Sequence, residues 1–362
     1  MSIPATMRAV LLTGNGGYET LELRDDVPVP VPGPDDVLIR ICAAAVNNTD
    51  INTRIGWYSK AVAEATDANA ATGIDGAEDD GWSGAAFVFP RIQGADACGR
   101  VVAVGANVDP ARIGERVLVE PVLRGEGRFD IRYFGSEVDG AFADYACVPA
   151  TNAYRIESAL ADAELASFPC AYATAENILT RISLIAGERV LITGASGGVG
   201  SAAVQLAKRR GAEVIAMASA DKAEAVSALG ASKVIPRDAD LRSLFGDEFF
   251  DAAVDVVGGA QFGGLLGVLK RGGRYGVSGA ISGPVVDLDL RTLYLKDLRL
   301  VGCTVLEPEV FGNLVGYIER GEIKPLVAAT YPLMDIVAAQ EAFLTKQHVG
   351  KIVLVGQSSE RA

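Results

Sequence analysis

The chain has 362 residues, 49% of them hydrophobic, and a formal charge of −13. This length and apolar content allow two domains with buried cores, and so negative a chain, with no large basic face, is not expected to bind nucleic acid. No stretch approaches the roughly 18–20 apolar residues of a membrane span, and residues 1–10 lack a basic head followed by an apolar core, so neither a membrane partner nor export is expected.

Residues 7–148 read as short strands and turns with little helical periodicity. Strands are expected over 37–42, 100–104, 116–119 and 142–148, separated by breakers such as Pro32-Gly33-Pro34 and Gly105-Ala106-Asn107. Within this all-β region, residues 59–83 form an Ala-, Asp- and Gly-rich insertion containing Trp82. With Phe87 and Phe89 it could be a lid over an apolar substrate, or else a surface excursion or oligomer contact. From about residue 161 the character changes to strands at 190–193, 214–218, 233–235, 252–257 and 275–277 with apolar helical stretches between them. Such alternation predicts an α/β fold with a doubly wound parallel sheet. Helices over 311–320 and 335–345 and a strand over 351–355 follow, expected to return to the first domain. The five cysteines (Cys42, Cys98, Cys147, Cys170, Cys303) are scattered, odd in number and never in a Cys-x-x-Cys pair, which fits a reducing cytoplasm.

The most informative stretch is the β-branched run ending at Thr193, followed by Gly194, Ala195, Ser196, Gly197, Gly198, Val199 and Gly200 and then by Ala203, Leu206 and Ala207 at helical spacing. Glycines there let the backbone approach a pyrophosphate and the helix pack on its strand, while the helix N-terminus faces the phosphates. Gly194, Ser196, Gly197, Gly198, Val199 and Gly200 are therefore candidate dinucleotide-binding residues. An NAD-selecting protein places an acid on the ribose hydroxyls roughly 20 residues after the motif begins. Here no acid precedes Asp221, whereas Ser219 can hydrogen-bond a 2′-phosphate and Lys222 can neutralise one, so NADPH is favoured over NADH. The plainer reading of Lys222 is a solvated residue in the next helix's first turn.

The order of parts, with Met7-Arg8-Ala9-Val10, residues 34–40, 99–105, 113–117 and 140–145, the glycine turn and Gly350-Lys351-Ile352-Val353-Leu354, resembles the medium-chain dehydrogenase/reductase superfamily. The resemblance implies a GroES-like β-barrel catalytic domain (1–155 and 307–362), a Rossmann nucleotide-binding domain (156–306) and an active site in the cleft between them. It further implies that Thr174, Gly258 and Ser278 line the cofactor, that Lys351 reaches it, and that a homodimer forms through sheet edges near 282–306.

Zinc members of the superfamily carry a cysteine ahead of His-Thr-Asp. This chain has Asn47-Asn48-Thr49-Asp50, and Gly94-Ala95-Asp96 where those members have Gly-His-Glu. Cys170 alone falls at a ligand position, which does not make a convincing metal site, and the structural-zinc lobe is replaced by a stretch with Arg124, Arg128 and Arg132. The single histidine, His348, is expected to be a surface or structural residue. Residues 47–58 are similar instead to the zinc-free quinone oxidoreductases. This implies hydride transfer to a quinone or α,β-unsaturated carbonyl, whose negative charge delocalises and can be held by hydrogen-bond donors. Asn47 is the first candidate donor, with Tyr58 and the arginine-rich loop as secondary ones; Asp50 orients the loop or caps the helix, and water can supply the proton. Two other readings stay open: an alcohol or aldehyde dehydrogenase with atypical or no metal, and a non-catalytic NADPH-binding protein.

Overall fold

The computed structural model describes residues 3–74 and 87–356; Trp82 and residues 75–83 of the insertion lie outside them. Strands β1 (Thr6–Leu12), β2 (Leu21–Pro28), β3 (Asp36–Ala45), β4 (Arg91–Ile92), β5 (Cys98–Val104), β6 (Arg116–Val119), β7 (Val122–Arg124), β8 (Ile131–Tyr133), β9 (Tyr145–Pro149) and β10 (Ala153–Arg155) build the first domain, with the short helix α1 (Asn48–Ile55) after β3. Most residues of β3 are buried, as suits a strand flanked on both sides: β5 and β9 pair with it antiparallel.

Next come α2 (Asp162–Leu165), α3 (Pro169–Arg181), β11 (Arg189–Ile192), α4 (Gly198–Arg209), β12 (Glu213–Met217), α5 (Ala223–Ala228), β13 (Lys233–Ile235), α6 (Leu241–Phe245) and β14 (Phe250–Asp255). The alternation continues through α7 (Phe262–Val268), β15 (Leu269–Val277), α8 (Leu290–Leu295) and β16 (Arg299–Gly302). These strands form one parallel sheet in the order β13-β12-β11-β14-β15-β16. The order in which strands are added reverses between β11 and β14, so the crevice at their carboxyl ends is where a doubly wound fold binds its ligand. The α/β expectation is met by this Rossmann-type sheet beside a GroES-like strand assembly.

The last elements are α9 (Val310–Glu319), β17 (Val327–Pro332), α10 (Ile336–Leu344) and β18 (Lys351–Val355). β18 pairs antiparallel with β3 through Val353 and Ala45, so this late strand completes a sheet that β3 begins. Helix α9 packs on α3, and its Phe311 ring lies 4.9 Å from that of Tyr154 in β10, so it touches both parts of the molecule. The strand expected over 142–148 starts only at Tyr145, because the amide of Phe142 is drawn to the Gln93 carbonyl and the Asp144 carbonyl to the amide of Ile41.

Candidate active site

Gly194, just after β11, lies in the left-handed region (φ 57°), and a Cβ on Gly200 would stand 2.1 Å from the Gly194 carbonyl oxygen, so neither position tolerates a side chain. Helix α4 begins at Gly198 behind Gly197, which contributes no capping side chain. Its first-turn amides suit a pyrophosphate, the group this cradle fits. The turn is tied to the barrel: the Ser196 carbonyl accepts from the amide of Gly350 (3.2 Å), and the stem of Lys351 covers Gly198, its Cδ 3.0 Å from where a Cβ would sit. Beside the turn, Val256 and Val257 press on Gly194, and Gly258 (φ 66°) lies against the carbonyl of Gly283. Ser278, half-buried, follows β15 directly. Thr174, one turn beyond Cys170 on α3 and half-buried, hydrogen-bonds the Cys170 thiol.

At the far end of the crevice, Ser219 hydrogen-bonds the Asp221 carboxylate and holds its pKa down. Lys222 is buried and donates to the Lys346 carbonyl; burial lowers its pKa, with Arg237 adding repulsion. Lys222 is thus a buried side chain joining the two domains rather than a solvated first-turn lysine.

The barrel side of the cleft is organised by Asn47. It caps α1 as its Ncap residue, and its backbone amide donates to Asp50 Oδ2 (2.7 Å), half of a capping box. Gly56 (φ 76°) ends the helix. The Asn47 side chain donates both amide hydrogens, to the Ala45 carbonyl (3.2 Å) and to Asp96 Oδ2 (2.8 Å), while its Oδ1 accepts from the Lys351 ammonium. Asp96 is fully buried; Oδ2 also meets Lys351 Nζ at 2.9 Å, and Oδ1 accepts the amide of Cys170 at 2.6 Å. The assignment of Asn47 as donor to the substrate is therefore corrected, since both its hydrogens are committed within the protein. Asp50 is buried, and desolvation pushes its carboxyl up to about 7 against the opposing pull of the Asn47 amide and Lys351; Asp96 reinforces the rise.

Asn47, Asp96 and Cys170, 123 positions apart at the extremes, thus meet at one point. They do not fit a catalytic zinc. An amide is a poor ligand, Asp96 is already committed to an ammonium that would repel a dication, and burial, with Asp96 second, pushes the Cys170 thiol up to about 12, so it stays protonated. Among the described residues no group of three or more His, Cys, Asp or Glu could hold a metal.

Two arginines of the arginine-rich loop are held by ion pairs within the protein. Arg124 pairs with Glu120 (2.6 Å) and donates to the Leu306 carbonyl, and Arg128 pairs with Glu307 (2.7 Å), so the loop ties the barrel to the segment after β16. Tyr58 is half-buried with its ring edge-on to Trp57 at 5.6 Å. The described part of the insertion is anchored by the fully buried Arg54, which donates to the Gly16 and Ala70 carbonyls, and it crosses to the nucleotide domain through the Thr66 amide and the Ile281 carbonyl (3.0 Å). His348 lies between the domains; burial first, then Lys346, Lys222 and Lys351, hold its imidazole down to about 4, so it is neutral.

Residues 33–158 match the alcohol dehydrogenase GroES-like domain family and residues 198–320 the zinc-binding dehydrogenase family. Human quinone oxidoreductase is 26% identical over 96% of this chain and 98% of its own. A Sinorhizobium meliloti 1021 protein assigned as an alcohol dehydrogenase is 45% identical, covers 98% of each chain and superposes with a TM-score of 0.88. A 2-octenoyl-CoA carboxylase reductase solved with NADP and 2-octenoyl-CoA is 26% identical, with a TM-score of 0.84 over 100% of this chain and 90% of that one. Fold and relatives define an oxidoreductase of a family whose members bind nicotinamide cofactors. The chain belongs to the medium-chain dehydrogenase/reductase superfamily and is quinone oxidoreductase-like.

The site list read from sequence lacked Asp96, whose partners lie 49 and 255 positions away. Its one signal was its place in Gly94-Ala95-Asp96.

Proposed function

We propose that this protein is a zinc-independent, NADPH-dependent reductase of quinones or α,β-unsaturated carbonyls. What carries the reading is the Lys351–Asp96–Asn47 cluster: the stretches that carry zinc ligands in other members of the superfamily here place Asn47 and Asp96 on the Lys351 ammonium, which arrives from β18. Such a site offers no Lewis acid to load charge on one alkoxide oxygen, so a conjugated acceptor, whose charge delocalises, suits it best. Human quinone oxidoreductase and the enoyl-CoA reductase support the same class of acceptor.

Bound NADPH supplies the hydride. The chain's residues do the rest: the glycine turn and α4 hold the pyrophosphate, while Gly258, Ser278 and Thr174 line the nicotinamide end. The Tyr58 hydroxyl donates to the carbonyl oxygen that gains charge as the β-carbon accepts hydride, and water then protonates the resulting anion. Asn47 acts as a positioning residue by fixing Lys351 against Asp96. NADPH is preferred over NADH because Lys222 and Arg237 set two basic groups beside Ser219 and Asp221. A homodimer forms through the unpaired edge of β16, beside which Val285, Leu290, Tyr294, Leu295 and Leu300 are exposed; light scattering at twice the chain mass checks it. The free cysteines fit a cytoplasmic location.

The test is titration with NADPH and NADH, then turnover of quinones, enones and aldehydes with and without a chelator. Tight NADPH binding with chelator-insensitive enone or quinone reduction is expected, and Tyr58→Phe lowers kcat at least tenfold with NADPH affinity unchanged. The 45% identity to the assigned alcohol dehydrogenase favours a second reading, reduction of a simple carbonyl; aldehyde turnover lost on chelation establishes it.

A further inference from the structure

Asp255 closes β14 at the point where the strand order of the sheet reverses, and it is fully buried with no cationic partner among the described residues. Its two oxygens are used differently. Oδ1 accepts from the Thr193 hydroxyl (2.6 Å) and from the amides of Val257 (2.9 Å) and Gly258 (3.1 Å); the Thr193 hydroxyl in turn accepts the amide of Val256 (3.1 Å). Thr193 immediately precedes Gly194, so this one oxygen joins the start of the glycine turn to the turn carrying Gly258. Oδ2 accepts only the hydroxyl of Tyr275 (2.6 Å), a buried residue of β15 in the core behind the sheet. Burial, followed by the Asp255 charge, raises the Tyr275 pKa far above its ordinary range, so the hydroxyl remains a donor.

We infer that Asp255 is the positioning residue for the cofactor, its Oδ1 setting the distance between the Gly194 and Gly258 turns while its Oδ2 anchors the carboxylate to the core through Tyr275. A carboxylate is needed because it accepts four hydrogen bonds and donates none; an asparagine amide turned toward either side sets a donor against donors. The inference rests on the nicotinamide-cofactor reading above.

The experiment measures NADPH affinity by fluorescence, kcat at saturating NADPH, and melting temperature for Asp255→Asn, Thr193→Val and Tyr275→Phe in the full chain. Asp255→Asn and Thr193→Val each raise the NADPH Kd at least tenfold with kcat within about threefold of wild type, because geometry of binding rather than chemistry is lost. Tyr275→Phe lowers the melting temperature yet leaves Kd within twofold, since the Oδ1 arm is intact. If Asp255→Asn does not fold, Thr193→Val decides. Unchanged Kd in the folded Oδ1-arm variants, or an equal loss in Tyr275→Phe, overturns the inference alone; a wild-type chain that binds no nicotinamide nucleotide overturns the cofactor reading and this inference with it.

Discussion

Two fully buried aspartates, one in the barrel and one in the nucleotide-domain sheet, are held under opposite regimes. On the barrel side Asp96 is matched by the Lys351 ammonium, with an amide side chain shared between them; on the nucleotide side Asp255 is held, among the described residues, by hydroxyls and backbone amides. An ion pair joins elements far apart in the chain and concentrates its energy in one contact. A carboxylate held by dipoles spreads the same task over several modest hydrogen bonds and fixes backbone turns instead. The difference teaches that the barrel side is built around charge, the nucleotide side around shape.

The largest effect is expected from breaking the charged arrangement. Lys351→Met leaves Asp96 buried without its cation, and removing one partner of such a pair costs about 3–5 kcal/mol; chemical denaturation should show that loss, and Asp96→Asn in the same background should recover part of it. The next effect sharpens the comparison through a third buried carboxyl, Asp50, whose pKa is pushed up to about 7 by desolvation. A raised carboxyl binds its proton more tightly folded than unfolded, so stability falls as pH rises from about 4 to 7 and levels off above, with a slope of at most about 1.4 kcal/mol per pH unit. Asp50→Asn, which keeps an acceptor for the Asn47 amide, should flatten melting temperature against pH across that window. The smallest effect marks the limit of charge as a stabiliser: the exposed Arg128–Glu307 pair should contribute under about 1 kcal/mol, so Arg128→Ala should barely move the melting temperature.

Much of the architecture was legible beforehand because it is written in local periodicities. Residues 233–235 and 351–355 were placed to the residue as strands, and the glycine turn was recognisable because a dinucleotide cradle demands small residues at fixed spacing. The site was harder. Nothing local reveals that Asp96 and Lys351 take up the side chain of Asn47, or that Arg124 and Arg128 meet glutamates as near as 4 and as far as 179 positions away.

By itself the sequence determined the two kinds of domain, the order of their elements and the nucleotide cradle, since alternation of apolar residues, turn formers and glycines acts over a few positions. Only the tertiary structure decided which charges meet. Lys351 reaches Asn47 across 304 positions because β18 pairs with β3, and Asp255 touches Thr193 and Tyr275 because β14 lies between β11 and β15. A buried carboxylate becomes an ion pair or a hub of hydrogen bonds according to what sheet register brings within about 3 Å, and that distance is set by packing, not by spacing along the chain.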